Sequence, residues 1–124
     1  MNKKGMEQVG VFTPDNLIAG NRHPVDVCHV VIKEGQKLLR GTLLEKSAEE
    51  PDKYVIRGTQ PEGRSAEYIL ADDVDALEED TVGLAYRTGE FAQNAVIVKE
   101  GYSITEEDKT ELRRLGIFLA VIMM

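Results

Sequence analysis

The sequence predicts a mainly β fold with one short C-terminal α-helix, closed up as a small barrel or sandwich behind an extended N-terminal arm. Three observations predict it. Short β-branched runs are broken repeatedly by turn residues; eleven glycines and four prolines fall mostly between those runs; and a single helix start with a matching stop lies near the C-terminal end. At 124 residues the chain is expected to form one domain with a modest core. Its 42% hydrophobic and 30% charged residues are those of an ordinary globular protein rather than a disordered or fibrous one.

Residues 1–24 read as an arm and residues 25–124 as the domain. Met1 to Gly10 lacks helical periodicity, and Phe12-Thr13-Pro14-Asp15-Asn16 gives a turn in which Pro14 has no N–H for a sheet ladder. Val9, Val11, Phe12, Leu17 and Ile18 thus sit on a segment with little means of folding by itself. Two readings follow: a tail that packs on its own domain, or an arm that docks on a partner by strand addition.

Val25 to Ile32 is β-branched and predicts a strand ending at Glu34-Gly35. A second strand is predicted from Thr42 to Leu44, folding back on the first. Ser47 to Lys53 reads as a polar loop, Tyr54 to Arg57 as a short strand, and Gly58 to Ser65 as another loop. Tyr68 to Ala71 begins the densest run of strand signals. Asp72, Asp73, Asp75, Glu78, Glu79 and Asp80 follow without a basic residue among them, so a solvated, self-repelling loop is expected. Strands are predicted at Val82 to Tyr86 and Ala95 to Val98, joined through Thr88 to Asn94. Thr105 before three acids marks a helix start, and Arg113, Arg114 and Gly116 mark its stop, with Leu112 and Leu115 expected on the buried side. Ile117 to Met124 reads as a closing strand, buried on both faces or set against a neighbouring subunit.

Composition and spacing exclude several functions. With 15 basic against 22 acidic residues the net charge is -7, which opposes direct contact with nucleic acid. The longest apolar run, Ile117 to Met124, falls well short of the roughly 20 residues needed to cross a bilayer. A lone cysteine, Cys28, and a start without a secretory signal lead us to expect a reducing, intracellular place of synthesis. The acidic loop fails the EF-hand template, because counting from Asp73 puts Leu77 and Glu78 where a ligand and the glycine should stand. Cys28 and His29 are adjacent in a strand and point to opposite faces, which prevents them, with His23, from closing on one zinc ion. Ser47, Ser65 and Ser103 lie in no nucleophile elbow, and Gly83, Gly89 and Gly101 form neither a P-loop nor a dinucleotide fingerprint. No catalytic residue, cofactor or metal ligand is expected.

Several stretches carry a resemblance. They are Phe12 to Gly20, the G-x-x-L-x-R-G-T-x-L run from Gly35 to Leu44, Tyr68 to Ala71, Tyr86 to Phe91 with Asn94-Ala95, and Leu115 to Leu119. Together, in order over roughly residues 12 to 119, they resemble the head decoration proteins of tailed phages, the lambda-type capsid-stabilising family. The resemblance implies a β-clip-type fold, a homotrimer on the outer capsid surface at threefold and quasi-threefold positions, and attachment after shell expansion. It further implies that the bound trimer holds capsomers together against packaged DNA, with the major capsid protein as partner and no enzymatic activity. The protein would be made in the host bacterial cytoplasm and end in the virion. It implies an arm, loose in the free protein, that orders on the shell. On this chain that assigns Val9, Val11, Phe12, Pro14, Leu17 and Ile18 to capsid binding. The closing strand, through Ile117, Phe118, Leu119 and Val121, is our candidate for the contact between subunits. The acidic loop at 72 to 80 has no role in the resemblance. The other class considered is a small non-enzymatic binding module or structural protein of another virion or secretion assembly.

Overall fold

The computed structural model describes residues 17–20, 23–60 and 62–121. Its elements are β1 (Asp26–Ile32), β2 (Gln36–Leu38), β3 (Leu43–Lys46), β4 (Tyr54–Ile56), β5 (Ala66–Leu70), β6 (Val74–Ala76), β7 (Thr81–Ala92), α1 (Glu106–Leu115) and β8 (Ile117–Ala120). Strands β1, β4, β3, β5 and β7 pair in that order, and β1 also pairs with β7, which closes a five-stranded barrel. The mainly β fold with one short helix near the C-terminus is therefore the one the sequence predicts, and a small barrel of this kind fits a β-clip-like architecture.

Alternation along β1 sets the two sides of the wall. Val30 and Ile32 face inward beside Cys28, and with Leu44, Tyr54, Leu70 and Ala85 from the other strands they fill the barrel. The β2–β6 ribbon contributes Leu38, Val74 and Ala76 to the same cluster. A second core lies outside the wall, where Leu43, Ile69 and Tyr86 meet Leu17, Phe91, Leu112 and Ile117. The helix, β8 and the stub at Leu17 thus cover one side of the barrel.

The strand pairing departs from expectation. β1 does not fold back on β3; it runs antiparallel to β7 from Asp26 opposite Thr88 to Ile32 opposite Thr81, and meets β4 in parallel at Ile32. β3 is flanked by β4 and β5 instead. Barrel closure brings the sequence-distant β1 and β7 together, and no local signal specifies that.

Two separate strands at 82–86 and 95–98 are replaced by a single twelve-residue strand. Gly89 keeps it continuous: its φ is 145°, and a Cβ there would stand 2.8 Å from the Phe91 ring. Gln93–Ala95 then forms a 3-10 turn, and Ile97 makes only an isolated bridge to Thr42. The acidic stretch is also more ordered than a loop, since Val74 and Ala76 are buried while the carboxylates between and beyond them are exposed.

Helix α1 begins and ends where the sequence places it. The Thr105 hydroxyl accepts from Asp108 N–H, the Asp108 carboxylate accepts from Thr105 N–H, and Gly116 stops the helix at φ 98°. Its buried side differs, because Leu115 is 42% exposed and Asp108 takes an inward place with Leu112. The reason is an arginine from the turn after β4, described next. β8 is covered mainly on one face: Ile117 is buried, while Phe118, Leu119 and Ala120 are half-buried.

Candidate functional site

The stub and β8 frame the C-terminal half of β7 from opposite sides. Ala92 N–H donates to Leu17 O at 2.7 Å, Ala19 N–H donates to Glu90 O at 2.9 Å, and Ile18 lies opposite Phe91. On the other side β8 runs parallel to β7, from Ile117 opposite Gly89 to Ala120 opposite Ala92. Among the described residues the outer edge of β8 has no strand beside it. His23 stacks on Phe118 with ring centroids 3.9 Å apart, and Thr88 Oγ1 donates to Pro24 O at 2.7 Å. These contacts tie the start of β1 to the same end of the barrel.

The residues assigned to the arm divide here. Val9, Val11, Phe12 and Pro14 lie outside the described residues. Leu17 is buried in the outer core, whereas Ile18 is 43% exposed. Leu17 therefore belongs physically to the body, and Ile18 presents an apolar side chain beside it. Of the residues assigned to the subunit contact, Ile117 points into its own core and Phe118 sits under His23, while Val121 is 67% exposed.

A second apolar surface escaped the sequence reading. Val27 and Val82 are exposed, and Val31, directly across from Val82, is half-buried. The outer wall is covered at Tyr86 and bare toward Val82. The signal was present: Val25, Val27 and Val31 alternate with Cys28, Val30 and Ile32, so β1 is apolar on both faces, as a wall strand covered on both sides would be.

The sequence reading also missed a buried charge network beneath α1. Arg57 reaches Asp108 Oδ1 at 2.7 Å and Glu45 Oε1 at 3.3 Å, and all three residues are buried. Glu45 further accepts N–H bonds from Gly58 and Gln60, both at 2.9 Å. Asp108 accepts from the Tyr102 hydroxyl and from Thr105 N–H, and the guanidinium lies 5.3 Å from the centre of the Tyr102 ring. Burial works to lower the Arg57 pKa, but the Asp108 hydrogen bond and charge outweigh it and hold the group above its ordinary value. Burial likewise pushes the Tyr102 hydroxyl up, helped by its bond to Asp108. A cleft of about 480 Å³ beside this network is lined by Arg57, Arg64, Tyr102 and Asp108. Both buried carboxylates are held by fixed donors, so the arrangement braces the helix.

Cys28 and His29 do point to opposite sides of the wall. Cys28 packs inward, its thiol pushed up by burial, and His29 is exposed. Among the described residues no group of three or more His, Cys, Asp or Glu side chains could hold a metal ion, and no helix is long and apolar enough to cross a membrane.

The family model described as bacteriophage lambda head decoration protein D matches residues 7–118. No curated protein matches the chain.

Proposed function

The chain belongs to the family of bacteriophage lambda head decoration protein D, a structural family of the phage capsid, and from that premise we propose that it acts as a homotrimer on the outer surface of the expanded shell. The trimer sits at threefold and quasi-threefold positions, binds the major capsid protein and stabilises the head against the pressure of packaged DNA. The observation that carries this reading is the match over residues 7–118, which spans nearly the whole chain.

The arm supplies the shell contact. One short apolar segment binds weakly alone, but three on a threefold axis act at high effective concentration, and avidity adds orders of magnitude without new contacts. Val9, Val11, Phe12 and Pro14, continued by the exposed Ile18, are the residues we assign to it, with Leu17 anchoring its root in the body. Contact between subunits uses the β8 side, through Phe118, Leu119 and Val121, with Ile117 supporting the strand from within. The protein is made in the host bacterial cytoplasm and acts in the virion, without an enzymatic step or cofactor.

Purified protein mixed with expanded and unexpanded shells, then imaged, tests this reading. Threefold density of three copies on expanded shells alone is the expected result. Bare expanded shells, or single copies without threefold grouping, would refute it. Equilibrium sedimentation should show trimer or a monomer that associates weakly with concentration.

A further inference from the structure

The barrel wall carries an apolar stripe that nothing among the described residues covers. Val27 and Val82 are exposed, and Val31 stands directly across from Val82 between β1 and β7. Apolar side chains grouped on one sheet face mark a contact surface. Glu78 and Glu79 lead into Val82 and are exposed, so the stripe has a negative rim at that end.

The far end of β7 carries a surface of the complementary kind. Leu115 and Val121 are exposed on either side of β8, and Arg113 and Arg114 are exposed in the last turn of α1, just ahead of it. Arg114 pairs with Glu111, whereas Arg113 makes no ion pair among the described residues. Glu90, opposite Phe118 of β8, lies eight residues beyond Val82, so as much as about 26 Å of strand separates the two surfaces. They cannot cover each other within one chain.

Threefold closure asks for such a pair. A ring of three is built from a heterologous contact, in which a patch on one subunit meets a different patch on the next, whereas a self-complementary patch closes a dimer. A β8 surface that carries the subunit contact therefore needs an unlike surface to receive it. The stripe answers it twice, apolar against apolar and acidic rim against Arg113.

We propose that the stripe of Val27, Val31 and Val82 receives the β8 side of the next copy, with Arg113 facing Glu78 and Glu79, Leu115 on Val82, and Val121 toward Val27. This rests on the reading that β8 carries the contact between subunits, and supplies the other half of that contact. The acidic segment thereby gains a role: its charges set the register in which the two apolar surfaces meet.

A full-length chain carrying Cys28→Ala, Val82→Cys and Leu115→Cys, treated with a short bismaleimide, should close into covalent trimers, since each link joins neighbours around the ring. Val82→Cys or Leu115→Cys alone in the same background should run as monomer on a denaturing gel. Both positions are exposed, so circular dichroism should match that of the unsubstituted chain. Glu79→Lys should weaken association about fivefold in sedimentation, the size of an exposed ion pair, and Arg113→Glu in the same chain should restore it. Dimers linked through Val82→Cys alone would overturn the proposal by setting the stripe against its own copy. A sedimenting trimer without links between positions 82 and 115, or a Glu79→Lys defect that Arg113→Glu leaves unrepaired, would overturn it while leaving the trimer standing. Monomer at every concentration, on shells as in solution, would overturn the trimer and this contact with it.

Discussion

The Arg57 network beneath α1 and the acidic segment from Asp72 to Asp80 both rest on carboxylates, yet they bear on the fold very differently. Glu45 and Asp108 are shut away from water and bound to one guanidinium and several N–H groups. The acidic segment stays at the surface. Asp73 accepts from Arg40 N–H at 2.8 Å, and Asp80 accepts from Glu34 N–H at 2.9 Å and pairs with Lys53. Burial decides the difference: a buried ion must keep its partner, whereas an exposed one can exchange its partner for water. The first region thus fixes the helix to the barrel, and the second trims the edge of the β2–β6 ribbon.

Substituting Arg57 should bring out this contrast most strongly. Arg57→Met leaves two buried carboxylates without their cation and is expected to cost about 3–5 kcal/mol, read as a lowered urea midpoint. A loss under about 1 kcal/mol would mean that water reaches the network and that the buried and exposed regions are alike.

Removing the helix cap sharpens the comparison at intermediate size. Thr105→Ala deletes the hydroxyl that accepts from Asp108 N–H but leaves the Arg57 pair in place, for an expected cost of about 1 kcal/mol. If it matched Arg57→Met, the cap rather than the ion network would be what holds α1.

The smallest effect is expected at Asp80. The Lys53 hydrogen bond holds its carboxyl below the usual carboxylate range, with a further contribution from Glu34 N–H. Because the folded value is depressed, the stability it contributes is present above the unfolded value of about 4 and is lost as pH falls through the folded one. Asp80→Asn should therefore shift the urea midpoint slightly at pH 7, less in high salt, and not at all at low pH. A shift that persisted in acid would show that shape, not charge, does the stabilising there.

What the sequence made legible follows from the range of the forces involved. The helix limits were readable because Thr105, Asp108 and Gly116 act on backbone groups within a turn of themselves. The opposed faces of Cys28 and His29 followed from strand alternation. Pairings between distant strands were not readable, since nothing near Val27 names Tyr86 as its neighbour. The ion network was hidden for the same reason. Asp108 is one of three acids in the first helical turn, and it is selected for burial only because Arg57 arrives from the turn after β4. At the candidate site, Leu17 and Ile18 read alike in sequence as apolar neighbours; the single bridge to Phe91 buries one and leaves the other outside.

The most direct test of the proposed role removes the arm while sparing its buried root. A chain lacking residues 2–16 retains Leu17 and every described element, so it should keep its circular dichroism spectrum and association state. Mixed with expanded shells and imaged beside the full-length protein, it should leave them undecorated. Decoration at full-length occupancy would contradict an arm-driven attachment and place the shell contact on the barrel itself.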